Sequence, residues 1–340
     1  MRCLVVGGTG FLGGAMAEAL AAAGHEVAIL SRGRTAGGPA GVEMVRADRH
    51  GDLSGLAGRS FDWVFDSCAF DPDAVHHLLD AVGPEVARYV LVSSISAYGS
   101  FATAGLTEAA SVPDATEADL AVAASIPTED RAMAAAYGAS YGPLKRACEI
   151  AAEARLGARA TILRVGLLIG AGDYTDRLTW WVRRIDGAHG VWRPVPAPGP
   201  ASRAVQLIDV RDAAGFAVHC AAAAQGGVWN VTGQPMAMSD LLAAVAEAAD
   251  SPAEVHWIAN RDVIGAGIMP WTEMPLMAPP GPKFRYFLEV NADRAEAAGL
   301  TCRPLAETLG PLLEWDRGRR DVPLKCGLSA EQEAALLAIV

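Results

Sequence analysis

Tyr141 and Lys145 stand four residues apart in the run Tyr141-Gly142-Pro143-Leu144-Lys145. On a helix, residues at that spacing share a face, so a phenol and an ammonium can meet one ligand. A free phenol has a pKa near ~10 and releases its proton poorly at neutral pH. A lysine charge beside it lowers that value, which suits proton transfer to or from a carbonyl or alcohol. The chain has six tyrosines and three lysines, and no other tyrosine has lysine at this spacing. Tyr137, one turn earlier, is expected to pack against the pair or line the site. Upstream, Ser93, Ser94 and Ser96 end an apolar run and lead to Tyr98-Gly99. Ligands of parallel sheets bind beyond the carboxyl ends of strands, where a serine hydroxyl can hold a substrate oxygen.

A second constellation opens the chain. The stretch Val6-Gly7-Gly8-Thr9-Gly10-Phe11-Leu12-Gly13 satisfies both GxGxxG and GxxGxxG. Glycine permits the sharp turn, the approach of backbone to a pyrophosphate, and close packing of helix on strand. The helix start adds free N–H groups and the positive end of its dipole. A strand precedes the turn and a helix follows, the context that makes this motif a dinucleotide site. Gly7, Gly10, Phe11, Leu12 and Gly13 are therefore candidate cofactor contacts. After the second strand comes Leu30-Ser31-Arg32-Gly33-Arg34, where an NAD site usually presents an acid to the ribose diol. A guanidinium suits a 2′-phosphate better than a diol. Ser31, Arg32 and Arg34 thus favour NADP, with NAD as the alternative. Asp48, at the end of the third strand, is a candidate adenine contact.

These groups need a scaffold. Short apolar runs at 3–6, 26–30, 42–46, 62–65, 89–93 and 160–165 read as strands, with helices at 15–23 and 141–156. Continuous apolar strands separated by helices imply a parallel sheet covered on both faces. The expected fold class is α/β, a Rossmann-type doubly wound parallel sheet with a smaller C-terminal substrate domain. Residues 1–169 form the expected dinucleotide-binding domain. Residues 204–232, read as a strand at 205–208 and a helix at 210–224, return to it. Residues 170–203 and 233–340, carrying Trp180, Trp181, Trp192, Trp257, Trp271 and two proline clusters, form the substrate domain. Asp173, Arg177, Trp180 and Arg203 are candidate pocket residues there. Residues 109–136 read as a solvated insertion with a helix near 130–136.

Composition narrows the function further. The chain has 340 residues, 51% of them apolar, enough to bury a large core. Its net charge of −11 argues against nucleic acid as a partner. The six cysteines and seven histidines show no metal-ligand spacing, so no metal is expected. The N-terminus runs straight into a strand with no leader, and no apolar run is long enough to span a membrane. A cytoplasmic protein acting on a small molecule is expected.

The glycine turn, the Ser94-to-Gly99 segment, the Tyr141/Lys145 pair and the long C-terminal part together resemble an extended short-chain dehydrogenase/reductase of the NAD(P)-dependent epimerase/dehydratase family. The resemblance implies Ser94 as the catalytic serine, Tyr141 as acid/base, and Lys145 as a further holder of the nicotinamide ribose. It also implies that Val165 and the residues to Leu168 flank the nicotinamide. Relatives often pair through helices that include the one with the tyrosine, so a homodimer is in keeping with it. Three departures point away from nucleotide sugars. Leu167 stands where sugar-nucleotide epimerases carry asparagine, Val205 where they carry arginine, and Asp66-Ser67-Cys68-Ala69 replaces a usual polar and alanine segment. The leading expectation is an NADP-dependent oxidoreductase acting on a carbonyl or alcohol of a small, partly apolar metabolite. An epimerase or dehydratase that returns its hydride internally is the alternative. A non-catalytic RNA-binding relative is opposed by the charge and the intact Ser94, Tyr141 and Lys145 set.

Overall fold

The structure, a computed structural model, describes residues 1–33, 38–131, 133–187 and 194–339. The chain opens with β1 (Arg2–Val6), α1 (Phe11–Ala22), β2 (Glu26–Ser31), β3 (Glu43–Arg46), β4 (Trp63–Asp66), α2 (Pro72–Val82) and β5 (Arg88–Ser94). Next come α3 (Glu117–Ser125), α4 (Tyr141–Leu156), β6 (Ala160–Val165), β7 (Leu167–Ile169) and α5 (Arg177–Asp186). The rest includes β8 (Val195–Pro198), β9 (Ala204–Val205), β10 (Leu207–Asp209), α6 (Val210–Ala222), β11 (Gly227–Val231), β12 (Met236–Ala237), α7 (Met238–Ala248) and β13 (Val255–Ile258). Seven strands form one parallel sheet in the order β11-β6-β5-β4-β1-β2-β3. This is the Rossmann-type doubly wound sheet that the apolar runs imply.

Alternation within each strand feeds two cores. Cys3 and Val5 of β1 face the core under α1 and α6, while Leu4 and Val6 face the core under α2 and α4. Both faces are dry, which is why the strands read as unbroken apolar runs. A third core joins α5, β8, α7 and the C-terminal helices, with Trp181 fully buried at its centre. The Trp181 indole N–H donates to the Pro275 carbonyl at 3.2 Å, so this tryptophan is a core residue with a satisfied polar edge. Trp180 stands edge-on to it, 4.6 Å between centroids. Trp192 lies outside the described residues. Among the described residues no helix is long and apolar enough to cross a membrane.

Two local expectations need correction. The insertion's helix lies at Glu117–Ser125, not at 130–136, because Thr116 and Asp119 close a reciprocal capping box that starts it early. Residues Ala134–Ser140 form a 3-10 turn instead. The single strand expected at 205–208 is two short ones, β9 pairing with β12 and β10 with β7. Gln206 separates them: its buried amide donates to the carbonyls of Gly233 and Val290 at 2.8 and 2.7 Å.

Candidate active site

Helix α4 begins at Tyr141 and carries Pro143 in its first turn, where a missing N–H costs nothing. Its buried residues Leu144, Lys145, Cys148, Glu149, Ala151 and Ala152 recur at helical spacing and fix which face meets the sheet. Gly142 lets this face come close. A Cβ there would stand 2.3 Å from the Ser96 carbonyl oxygen, so any other residue would push α4 off the loop after β5. Ser94 ends β5, and its hydroxyl accepts the Ser96 N–H at 3.1 Å. The approach brings the Tyr141 phenol beside Ser94. Burial pushes the Tyr141 phenol above its ordinary value, while Ser94 pulls the other way. Val165, at the end of β6, pairs in register with Ser94 on one side and Val231 on the other. Ser94, Tyr141 and Val165 therefore meet at the carboxyl edge of the sheet, where ligands of such sheets bind.

Lys145 is buried beneath this edge. Its ammonium donates to the Ala69 carbonyl at 2.7 Å and also to the Val92 carbonyl, and it lies 5.1 Å from the centre of the Phe70 ring. Burial lowers its pKa. The expected lowering of the Tyr141 phenol by this lysine is not among the forces that set Tyr141 here. Two of the three ammonium protons are committed to carbonyls, which leaves one donor for a further oxygen. Tyr137 packs against Phe70, 5.4 Å between centroids, and gives its hydroxyl proton to the Arg131 carbonyl at 2.8 Å.

The glycine turn has the form that a pyrophosphate needs. Gly7 adopts φ 78°, and a Cβ at Gly13 would come within 2.3 Å of the Gly7 carbonyl oxygen. Strand end and helix start thus touch with no room for a side chain. Phe11 and Leu12 supply first-turn N–H groups of α1, while the Leu12 side chain is buried in the core. A cavity of about 270 Å³ opens beside the turn, lined among others by Gly7, Gly10, Ser31, Arg32, Asp48 and His50. The cradle fits a pyrophosphate, and the cavity fits the adenosine end of a dinucleotide. Asp48 accepts the His50 N–H at 3.0 Å. The Arg32 guanidinium reaches across to the insertion, donating to the carbonyls of Glu129 at 3.1 Å and Thr128 at 3.4 Å. Arg34 lies outside the described residues.

Sequence reasoning missed two buried charge networks behind these groups. Asp66 accepts from Arg49 (2.5 and 2.9 Å) and from the Tyr89 hydroxyl (2.7 Å). Glu149, on α4, accepts from Ser93 (2.6 Å), Arg164 (2.9 and 2.7 Å) and Arg146 (3.1 Å). Arg164 in turn lies over the Tyr98 ring at 4.7 Å, and the Tyr98 hydroxyl donates to Asn230 at 2.8 Å. The available signal was a charge inside an apolar strand, Asp66 ending β4 and Arg164 within β6, because a buried charge requires a partner.

Across the cleft the pocket candidates divide. Arg203 donates to the carbonyls of Pro198 and Gly199 and to Asn260, so it braces the loop after β8. Trp180 is buried in the third core. Asp173 is buried, and its oxygens accept the Thr175 N–H and hydroxyl at 2.8 and 3.0 Å. Arg177 begins α5 with its guanidinium 4.9 Å over the Trp271 ring.

The profile of the NAD dependent epimerase/dehydratase family matches residues 3–90. A 2'-dehydrokanamycin reductase of Streptomyces kanamyceticus is 38% identical over 122 residues, which is 34% of this chain. The match likewise spans only 34% of that curated relative. A UDP-N-acetylglucosamine 4-epimerase from Methanobrevibacter ruminantium M1, solved with UDP-N-acetylmuramic acid, superposes with a TM-score of 0.67 at 15% identity. That superposition covers 94% of this chain and 98% of the other. The UDP-glucose 4-epimerase of Thermus thermophilus, solved with NAD, gives 0.57 at 22% identity over 94% and 100%. These structures establish the shared fold. The recognition carried by the motifs stands: the chain resembles the NAD dependent epimerase/dehydratase family.

Proposed function

We propose that this protein is an NADP-dependent oxidoreductase that reduces a carbonyl of a small, partly apolar metabolite. Residues 1–169 with 204–232 serve as the cofactor domain, and residues 170–203 with 233–340 cover the substrate. The observation that carries this reading is the packing of α4 at Gly142 on the loop after Ser94, which sets Tyr141 beside Ser94 at the sheet edge that also bears the glycine turn. When bound, a nicotinamide supplies the hydride. Gly7, Gly10, Gly13 and the first-turn N–H groups of α1 hold its pyrophosphate. Asp48 and Ser31 meet the adenosine end, and Arg32 favours a 2′-phosphate there. The free N–H of Lys145 is the donor for a ribose hydroxyl.

The substrate oxygen accepts from Ser94 and Tyr141. Because burial raises the Tyr141 phenol, it keeps its proton through neutral pH. A protonated phenol gives that proton to the alkoxide that forms as hydride arrives, so the site suits reduction. The reductase relative supports this direction.

The test is turnover of a carbonyl panel by purified protein with NADPH and with NADH. Reduction that consumes added NADPH supports the reading. Protein that carries tightly held oxidised cofactor and needs none added is instead an epimerase or dehydratase. Arg32→Ala is expected to narrow the NADPH-over-NADH preference about tenfold, the loss of a charged hydrogen bond. An unchanged preference removes Arg32 from phosphate recognition.

A further inference from the structure

Residues 170–177 link the cofactor turn to the opposite wall of the cleft. A methyl group added at Gly172 would sit 3.6 Å from the Phe11 ring, so this loop runs along the start of α1. It then presents the exposed ring of Tyr174. Tyr174 follows Asp173 on this loop, two residues past the approach to Phe11, and its hydroxyl lies within electrostatic range of Tyr141.

Two cations border Tyr174. The Lys325 ammonium lies 5.5 Å over its ring, and Arg177 begins the next helix. The Arg177 guanidinium carbon lies 4.9 Å from the centre of the Trp271 ring, and its Nε is buried with no hydrogen-bond partner. Trp271 has φ 72°, a left-handed conformation that a bulky side chain adopts only at a cost. Strain is thus kept where an aromatic face supports a cation.

Other arginines of this region are paired. Arg183 meets Asp316 at 2.6 Å, Arg184 meets Glu333 at 2.8 Å, and Arg319 meets Asp176 at 2.8 Å. Among the described residues neither Arg177 nor Lys325 has a carboxylate in salt-bridge contact. Asp173 is near Arg177 but spends its oxygens on Thr175. Arg177 and Lys325 thus keep N–H groups without a salt-bridge partner on a loop that passes the cofactor turn, and those groups are available to an anionic ligand.

Resting on the oxidoreductase reading above, we propose that Arg177, seconded by Lys325, binds a carboxylate of the substrate, so the compound reduced is an oxo acid. A guanidinium over an aromatic ring with its Nε buried still has its two terminal nitrogens for two parallel bonds, which a planar carboxylate matches. Stacking also fixes the side chain beforehand, which reduces the ordering cost on binding.

Benzoylformate and its methyl ester share a carbonyl and differ in the charge, so their kcat/KM ratio reads the carboxylate site. The expected wild-type ratio favours the acid by about tenfold or more, as a charge-assisted pair would give. Arg177→Met is expected to bring the ratio near one, Arg177→Lys to keep part of it, and Lys325→Met, at an exposed position, to lower it less. A wild-type preference for the ester, or equal losses on both compounds in Arg177→Met, overturns the proposal. Should neither compound turn over, the oxidoreductase reading is judged separately on the carbonyl panel, and calorimetry of benzoylformate on the protein decides the carboxylate site. Binding weakened about tenfold by Arg177→Met then supports the carboxylate site. Absent or unchanged binding, or inorganic phosphate binding in its place, contradicts it.

Discussion

On the sheet side of the cleft, charges are sealed. Asp66 and Glu149 are wholly buried, and each is held by an arginine that is itself buried, Arg49 and Arg164. On the opposite side, the charges around α5 keep one foot in water. Arg184 and Glu333 remain 15% and 18% exposed, and Arg317 is more than half exposed beside Asp186. The first arrangement makes a rigid platform for Ser94, Tyr141 and the glycine turn. The second, which the proposed reading sets over the substrate as a clamp, leaves its ion pairs within reach of water. A cofactor common to many chemistries suits the platform, and a particular substrate suits the clamp.

Removing one partner from each kind of pair tests that difference. Glu149→Ala strands Arg164 in the interior and is expected to cost about 3–5 kcal/mol in denaturant unfolding. A loss near zero would mean that the platform is not held by this network.

Asp66 adds a pH signature. Burial pushes its carboxyl up, but the charge and hydrogen bonds of Arg49, with the Tyr89 hydroxyl, outweigh this and hold it below 3.8. A depressed carboxyl contributes stability that is complete above its unfolded value and is lost as pH falls through the folded one. Unfolding midpoints should therefore drop steeply below pH 3.8, and Asp66→Asn should flatten that limb while losing about 1.5–3 kcal/mol at neutral pH. An acid limb that Asp66→Asn leaves unchanged would assign it to other carboxyls.

On the clamp side, Arg184→Ala is expected to cost at most about 1 kcal/mol, in keeping with a pair near water. A cost equal to that of Glu149→Ala would erase the contrast between the two sides.

The same contrast decides what the sequence could tell. The platform is built from backbone geometry and local spacing, and those are written in consecutive residues. Gly7 to Gly13 and Tyr141 to Lys145 can be read directly, and α4 and β6 begin and end where their patterns say. Gly142 stood inside a recognised motif, yet its reason, the Ser96 carbonyl against which it packs, appears only in three dimensions. The clamp joins residues from distant segments. Arg177 meets Trp271 and Tyr174 meets Lys325 through packing that no local pattern announces. Arg203 shows the converse: its place in the expected substrate domain made it a candidate pocket residue, and the loop after β8 takes its hydrogen bonds instead.

In the proposed reaction Tyr141 moves the proton at a site whose cofactor is held elsewhere, by the glycine turn. Its most direct test is Tyr141→Phe, measured for reductase turnover and for NADPH affinity in the same preparation. A rate lower by about 10²–10⁴, the usual share of a general acid, is expected, with NADPH binding unchanged. A Tyr141→Phe protein that keeps the wild-type rate would contradict it.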